Sequence, residues 1–153
     1  MSFRRLGFII AAVVEATGAA MLSAAVVAGI YGEWSDATAI ALTAAVVVVV
    51  ADIARRVITP HSEMTTREGF AAVALSWFAM ALIGTLPYLV TGAIDGMTDA
   101  FFETAAGFTT TGSSVVVDPA ALNHGILWWR AITQWMGGMG IIVLSIAILP
   151  LLG

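Results

Sequence analysis

The residues best suited to chemistry are the run Gly107-Phe108-Thr109-Thr110-Thr111-Gly112-Ser113-Ser114, the densest hydroxyl cluster in an otherwise apolar chain. Nothing in it suggests covalent catalysis. An extended stretch with unpaired carbonyls can instead replace the hydration shell of a cation. Gly112 permits backbone angles that a β-branched residue resists. The Thr and Ser hydroxyls add oxygen ligands or bond neighbouring strands. Residues 99–107 form a short helical pattern, about 13 Å long and too short to cross a bilayer. Asp95, Thr98 and Asp99 offer helix-start chemistry, and Gly107 a stop. Such a helix aims its partly negative C-terminal end at the hydroxyl run. An extended 115–117 and a turn at Asp118-Pro119 complete a re-entrant loop over about 95–118. The bland alternative is that Thr109–Ser114 is a flexible extracellular linker.

Other candidates are sparse. Arg130 has Glu103 and Asp99 near it in this loop, and a structural ion pair behind the short helix explains it better than contact with a cation, which an arginine would repel. His61 and His124 fall in opposite loops and cannot share a metal. No His-Glu-x-x-His, phosphate-loop or nucleophile-elbow motif occurs. The chain reads as no enzyme, with no organic cofactor.

These residues need elements to hold them. The chain has 153 residues, 60% hydrophobic and 10% charged, with no cysteine and a net charge of −4. Such a composition excludes disorder, a disulfide scaffold, a Cys-based zinc module and a basic nucleic-acid binder. It indicates an all-α integral membrane protein, multi-pass in the lipid bilayer. Spans of about 20 apolar residues are expected at 6–30, 37–58, 70–90 and 128–152. The first is too long for a signal-peptide core. Arg4, Arg5, Arg55, Arg56 and Arg67 fall on one side, hence a cytoplasmic N-terminus by the positive-inside rule. Glu33, Asp36, Asp95, Asp99, Glu103 and Asp118 fall on the other, where an acidic face gathers cations or merely mirrors that rule.

Within the spans, Glu15 lies near mid-membrane, a functional ionisable residue or a protonated or hydrogen-bonded packing residue. Ala12, Ala16, Ala20, Ala24 and Ala28 suggest a small-residue packing stripe. Gly137, Gly138 and Gly140 interrupt the last span, allowing close approach of the loop or a bend. Pro150 kinks or ends that helix. Trp128 and Trp129 suit an interfacial belt.

Taken together, Phe101-Phe102-Glu103, Gly107-Phe108-Thr109-Thr110-Thr111-Gly112, Trp129-Arg130, Gln134-Trp135-Met136-Gly137-Gly138-Met139-Gly140 and Leu149-Pro150-Leu151-Leu152 resemble the Trk/Ktr superfamily of potassium transporters, its TrkH-type membrane subunit most closely. Arg67-Glu68-Gly69-Phe70, Leu75-Ser76-Trp77 and Leu86-Pro87-Tyr88 fit the same resemblance. It implies two N-terminal transmembrane helices in 1–60, then one helix–pore loop–helix repeat of a potassium-channel-like fold in 65–153. It further implies potassium ions bound by carbonyls of Thr109, Thr110, Thr111 and Gly112, with Ser113, Glu103, Arg130, Gly137 and Gly138 in support. It carries with it a cell (inner) membrane location, a homodimer and a cytosolic nucleotide-binding regulatory subunit. Glu15 then sits on a helix peripheral to the pore, which favours the packing role.

One repeat cannot surround an ion. The expectation is a fragment, or truncated reading frame, of a roughly threefold longer protein. The competing readings are a homotetrameric potassium channel pore and a non-transporting membrane assembly subunit. In detergent, the isolated 153-residue chain is expected to size as something smaller than a tetramer. A stable tetramer by light scattering would establish self-assembly instead.

Overall fold

The computed structural model describes residues 3–58 and 65–148. His61, Glu63 and the segment Leu149-Pro150-Leu151-Leu152, including the expected kink at Pro150, lie outside the described residues. All regular structure among the described residues is helical: α1 (Phe3–Ile30), α2 (Trp34–Val57), α3 (Thr66–Ile83), α4 (Leu86–Thr91), α5 (Met97–Phe108) and α6 (His124–Ile148), with one 3-10 turn at Pro119–Ala121. The stretches Phe3–Ile30, Trp34–Val57 and Arg67–Thr91 are long and apolar enough to cross a membrane. α6 has 25 residues, about 37 Å at helical rise and long enough to cross as well.

The helices begin earlier than their apolar runs. Arg4 and Arg5 lie inside α1, and Arg55 and Arg56 form the last turn of α2. Arg130 lies within α6, as the expected 128–152 span has it. α3 opens on a capping box that hydrophobicity alone does not reveal. The Thr65 hydroxyl accepts from the Glu68 amide at 3.4 Å, and the Glu68 carboxylate accepts from the Thr65 amide at 3.1 Å. The signal was present as Thr65-x-x-Glu68. Glu68 also takes Arg5 from α1 at 3.1 Å.

α1 and α2 form an antiparallel hairpin turned at Gly32, whose φ is +78°. A side chain at Gly18 would collide with Val47 and Val48. The packed stripe of α1 runs through Thr17, Gly18, Met21, Ala24, Ala25 and Ala28. The expected alanine stripe is therefore only half right: Ala24 and Ala28 are buried, whereas Ala16 is exposed. Every fourth residue advances about 400° around a helix, so a period of four drifts about 160° between Ala12 and Ala28. Glu15 is hydrogen-bonded and ion-paired to Arg55 of α2, the hydrogen-bonded form of the expected packing role. Side chains lean toward their own helix N-terminus, so on antiparallel helices these two lean toward each other.

The third span is not one helix. It breaks at Gly84-Thr85 because Pro87 has no N–H to give and its ring crowds the carbonyl one turn back. The helical order resumes as α4, with Tyr88 N donating to the Thr85 carbonyl at 3.1 Å. The Gly84 carbonyl, left without its helical partner, accepts from Trp129 Nε1 at 3.0 Å. Trp129 is therefore wholly buried, not part of an interfacial belt. Trp128 is the half-exposed one, bonded to Ser23 Oγ at 3.0 Å.

The core sits where α1, α2, α4, α5 and α6 converge, around Met21, Ile40, Tyr88, Ile126 and Trp129. Above it a polar clasp joins the N-terminal hairpin to α6. The Glu33 carboxylate accepts from the His124 amide at 2.7 Å and the Gly125 amide at 3.0 Å. The amides of Ile126 and Leu127 reach the Asn123 carbonyl, so the first turn of α6 leaves no donor unpaired. The His124 ring stacks on Tyr31 at 3.8 Å and meets Glu33 at 2.9 Å, and Asn123 Nδ2 donates to Asp36 at 2.7 Å. Burial raises the Glu33 pKa, but the two amides and the imidazole outweigh it and hold the carboxyl below its ordinary 4.5. The clasp thus stabilises above that value and is lost as pH falls through the lowered one. Glu33→Gln is expected to cost roughly 0.5–2 kcal/mol at neutral pH. In detergent melts, the gap from the parent should begin to narrow as pH falls past the ordinary 4.5 and close only beneath the lowered value, where both carry a neutral side chain.

Candidate ion-filter site

α5 is the base of the site. It spans 12 residues, about 18 Å. It is three residues longer than the expected 99–107 segment. Its N-cap is Gly96 with no side-chain bond, so Asp95, Thr98 and Asp99 do not cap it. Gly107 does not end it either. The helix runs on to Phe108, and Gly107 is there for contact: a Cβ on it would stand 2.5 Å from Thr133 Oγ1 of α6.

The true stop is two residues later. Thr110 N donates to the Gly107 carbonyl at 2.9 Å and Thr111 N to the Ala106 carbonyl at 3.0 Å. That crossed pair is a Schellman ending, and it needs a left-handed residue between its two bonds. The residue is Thr110, at φ +56°. Glycine or asparagine is the usual occupant, and a β-branched residue there is strained by about 1–2 kcal/mol. Gly112 is also left-handed, at φ +77°, with open space where a Cβ would stand. Its constraint is backbone angle, not room.

The polar groups of 109–112 are used asymmetrically. The amides of Thr109, Thr110 and Thr111 turn back onto α5. Thr109 Oγ1 gives its proton to the Ala105 carbonyl at 2.7 Å, so the 2.8 Å contact between Thr109 and Thr111 hydroxyls has Thr111 as donor. None of the four carbonyl oxygens accepts a hydrogen bond among the described residues. Residues 109–115 are exposed, and 115–117 form no strand.

Behind this run stands a buried charge pair. Glu103 is 5% exposed. It takes Arg130 Nε at 2.8 Å, Ser114 Oγ at 2.9 Å and the Val115 amide at 3.0 Å. Asp99 is exposed and takes no part. Ser113, named beforehand as a support, is exposed and makes no hydrogen bond among the described residues. Ser114 does that work, and no feature of spacing or composition distinguishes the two neighbours.

α6 lies along α5 through a single face. Arg130 meets Glu103, Thr133 meets Gly107, and Gly137 meets Phe108. The spacing 130, 133, 137 is one helical stripe. Gly137 is the tightest: a Cβ there would sit 2.0 Å from the Phe108 carbonyl oxygen. Gly138 faces Thr110 Cγ2 at an ordinary 3.9 Å, and Gly140 faces Trp77 at 3.3 Å. The three glycines thus have three different neighbours, the last residue of α5, the Thr110 methyl and α3.

Comparison with known proteins bears on the family and the fold. Residues 36–153 match the TrkH family, described as cation transport protein. The Trk system potassium uptake protein TrkH of Escherichia coli K12 is 48% identical over 92 residues, 60% of this chain and 19% of that protein. That of Halomonas elongata is 48% identical over 94 residues, 61% of this chain and 20% of that protein. The crystal structure of the potassium transporter TrkH from Vibrio parahaemolyticus superposes on 98% of this chain with a TM-score of 0.89 and 36% identity, covering 32% of that structure. The chain thus spans about a fifth of the length of these curated relatives.

Gly137→Ala is expected to push α6 off the end of α5, at roughly 1–3 kcal/mol of overpacking. The measurement is the melting midpoint in detergent, with Gly138→Ala, which has room for its methyl, as the near-neutral comparison.

Proposed function

The chain belongs to the TrkH family of cation transport proteins, and from that premise we propose that it forms one wall of a potassium uptake pathway across the cell membrane. It is a multi-pass membrane protein, and its family comprises ion transporters rather than enzymes. In this reading potassium binds at the carbonyls of Thr109, Thr110, Thr111 and Gly112. The observation that carries it is the one-sided use of the backbone there, with amides folded back onto α5 and carbonyls left without partners among the described residues. A carbonyl unpaired at membrane depth is costly unless water or an ion meets it. The negative end of α5 points into the same place and favours positive charge.

One such segment supplies oxygens from one direction only. The remaining walls come from further segments of the same kind, and potassium-over-sodium preference is a property of the assembled ring. The homodimer and the nucleotide-binding regulatory subunit are proposals for that whole transporter. The arginines gathered at the N-terminal ends of α1 and α3 and the C-terminal end of α2 support an orientation with that end on the cytoplasmic side of the inner membrane. Exposed Asp95, Asp99 and Asp118 then lie outside, where they enrich cations at the mouth.

Gly112→Asp tests the site. It puts a side chain on a left-handed backbone and a carboxylate among the oxygens. Rubidium uptake in transport-deficient cells expressing the assembled transporter is expected to fall at least about tenfold. Uptake equal to the parent at equal membrane abundance would move the ion path away from 109–112.

A further inference from the structure

Glu103, Ser114 and Arg130 do more than neutralise one another. The Ser114 hydroxyl is fully committed: it donates to Glu103 at 2.9 Å and accepts from Arg130 at 3.1 Å and from the Val116 amide at 3.0 Å. A hydroxyl has one proton and two lone pairs, and all are used. Glu103 in addition takes the Val115 amide. The returning segment is therefore held to Glu103 at 114–115 through one hydroxyl and one amide, with the Val116 amide folded onto the same hydroxyl. Its other end is held at 110–111 by the crossed bonds to Ala106 and Gly107. Both anchor sets sit on α5, three to four residues apart, so a single rigid helix sets the distance between them. Between the two holds the Gly112 amide reaches the Ala106 carbonyl only at 3.5 Å, and Ser113 makes no hydrogen bond among the described residues.

We propose that Glu103 and Ser114 are positioning residues which, braced by Arg130, fix the span of the 109–112 carbonyls and so set the preference of the pathway for potassium over a smaller cation. Glu103 touches no ion. It acts through Ser114 and the Val115 amide, and its charge is cancelled by the Arg130 guanidinium, which also donates to Ser114 Oγ. Losing the hold lets the strand slacken, and a slack ring of carbonyls closes as readily on sodium as on potassium. The inference rests on the assignment of 109–112 as the ion site.

The experiment uses the assembled transporter in transport-deficient cells. Ser114→Ala, Glu103→Gln and Gly112→Asp are compared with the parent for potassium KM, maximal uptake and inhibition by sodium, each normalised to membrane abundance. Ser114→Ala leaves the Glu103–Arg130 pair intact and is the decisive variant if Glu103→Gln fails to insert. Removing bonds to charged groups is expected to raise the potassium KM, or sharpen inhibition by sodium, roughly tenfold. Lower abundance with unchanged KM and sodium sensitivity would overturn the proposal and leave the residues merely structural. If Ser114→Ala behaves as the parent while Gly112→Asp abolishes uptake, the positioning role is wrong and the ion site stands. If Gly112→Asp transports normally, the ion site itself is wrong and the positioning role falls with it.

Discussion

Hydrocarbon offers a peptide group nothing to bond, and the rest of this structure depends on that constraint. A chain that leaves helical geometry inside a bilayer must find a partner for each N–H and C=O it exposes. Residues 109–116 meet that demand in an uneven way. The helix they leave takes back their first amides, a buried carboxylate takes one amide and a hydroxyl at the far end, and the carbonyls of 109–112 accept nothing among the described residues. The segment is specific because its first amides and those of Val115 and Val116 are spent inside the protein, whereas the carbonyls of 109–112 accept nothing among the described residues.

The surrounding helices read as the means of keeping that arrangement. α5 carries both anchors of the strand. α6 presses on α5 along one stripe and brings the arginine that makes a buried glutamate tolerable. A buried carboxylate without a partner is costly enough to change its ionisation rather than stay charged. Trp129 ties α6 to the break between α3 and α4, a break that Pro87 creates and whose spare carbonyl the indole consumes. The N-terminal hairpin then docks on α6 through Glu33, which serves as a remote cap for a helix that lacks one of its own.

Much of this was legible in the sequence, and what was not has physical causes. Composition alone marks a membrane chain, and the arginines sort its ends. The hydroxyl run after a helix too short to span locates the candidate site. Boundaries were less legible, because capping and tertiary contact extend α1, α2, α5 and α6 beyond their apolar stretches. Gly107 looked like a helix end because glycine so often is one, whereas here the left-handed position falls to Thr110 and Gly107 is required by a neighbour. Trp129 looked like a belt residue because its demand for a buried acceptor arises only when a proline elsewhere releases one. Ser114 and Ser113 are indistinguishable until the strand is folded back against Glu103.

The stripe that joins α6 to α5 has a consequence for how such a sequence can drift in length. Arg130, Thr133 and Gly137 keep their facing only while the residues between them number what they do. One residue added or removed between 130 and 137 turns the glycine about 100° away and brings a larger side chain against the Phe108 carbonyl. The path from Val117 to Asn123 carries no such phase relation, since it is irregular and exposed. Insertions and deletions among relatives should therefore collect in that outer turn and be excluded from the seven-residue interval below it, whatever the side chains around them do.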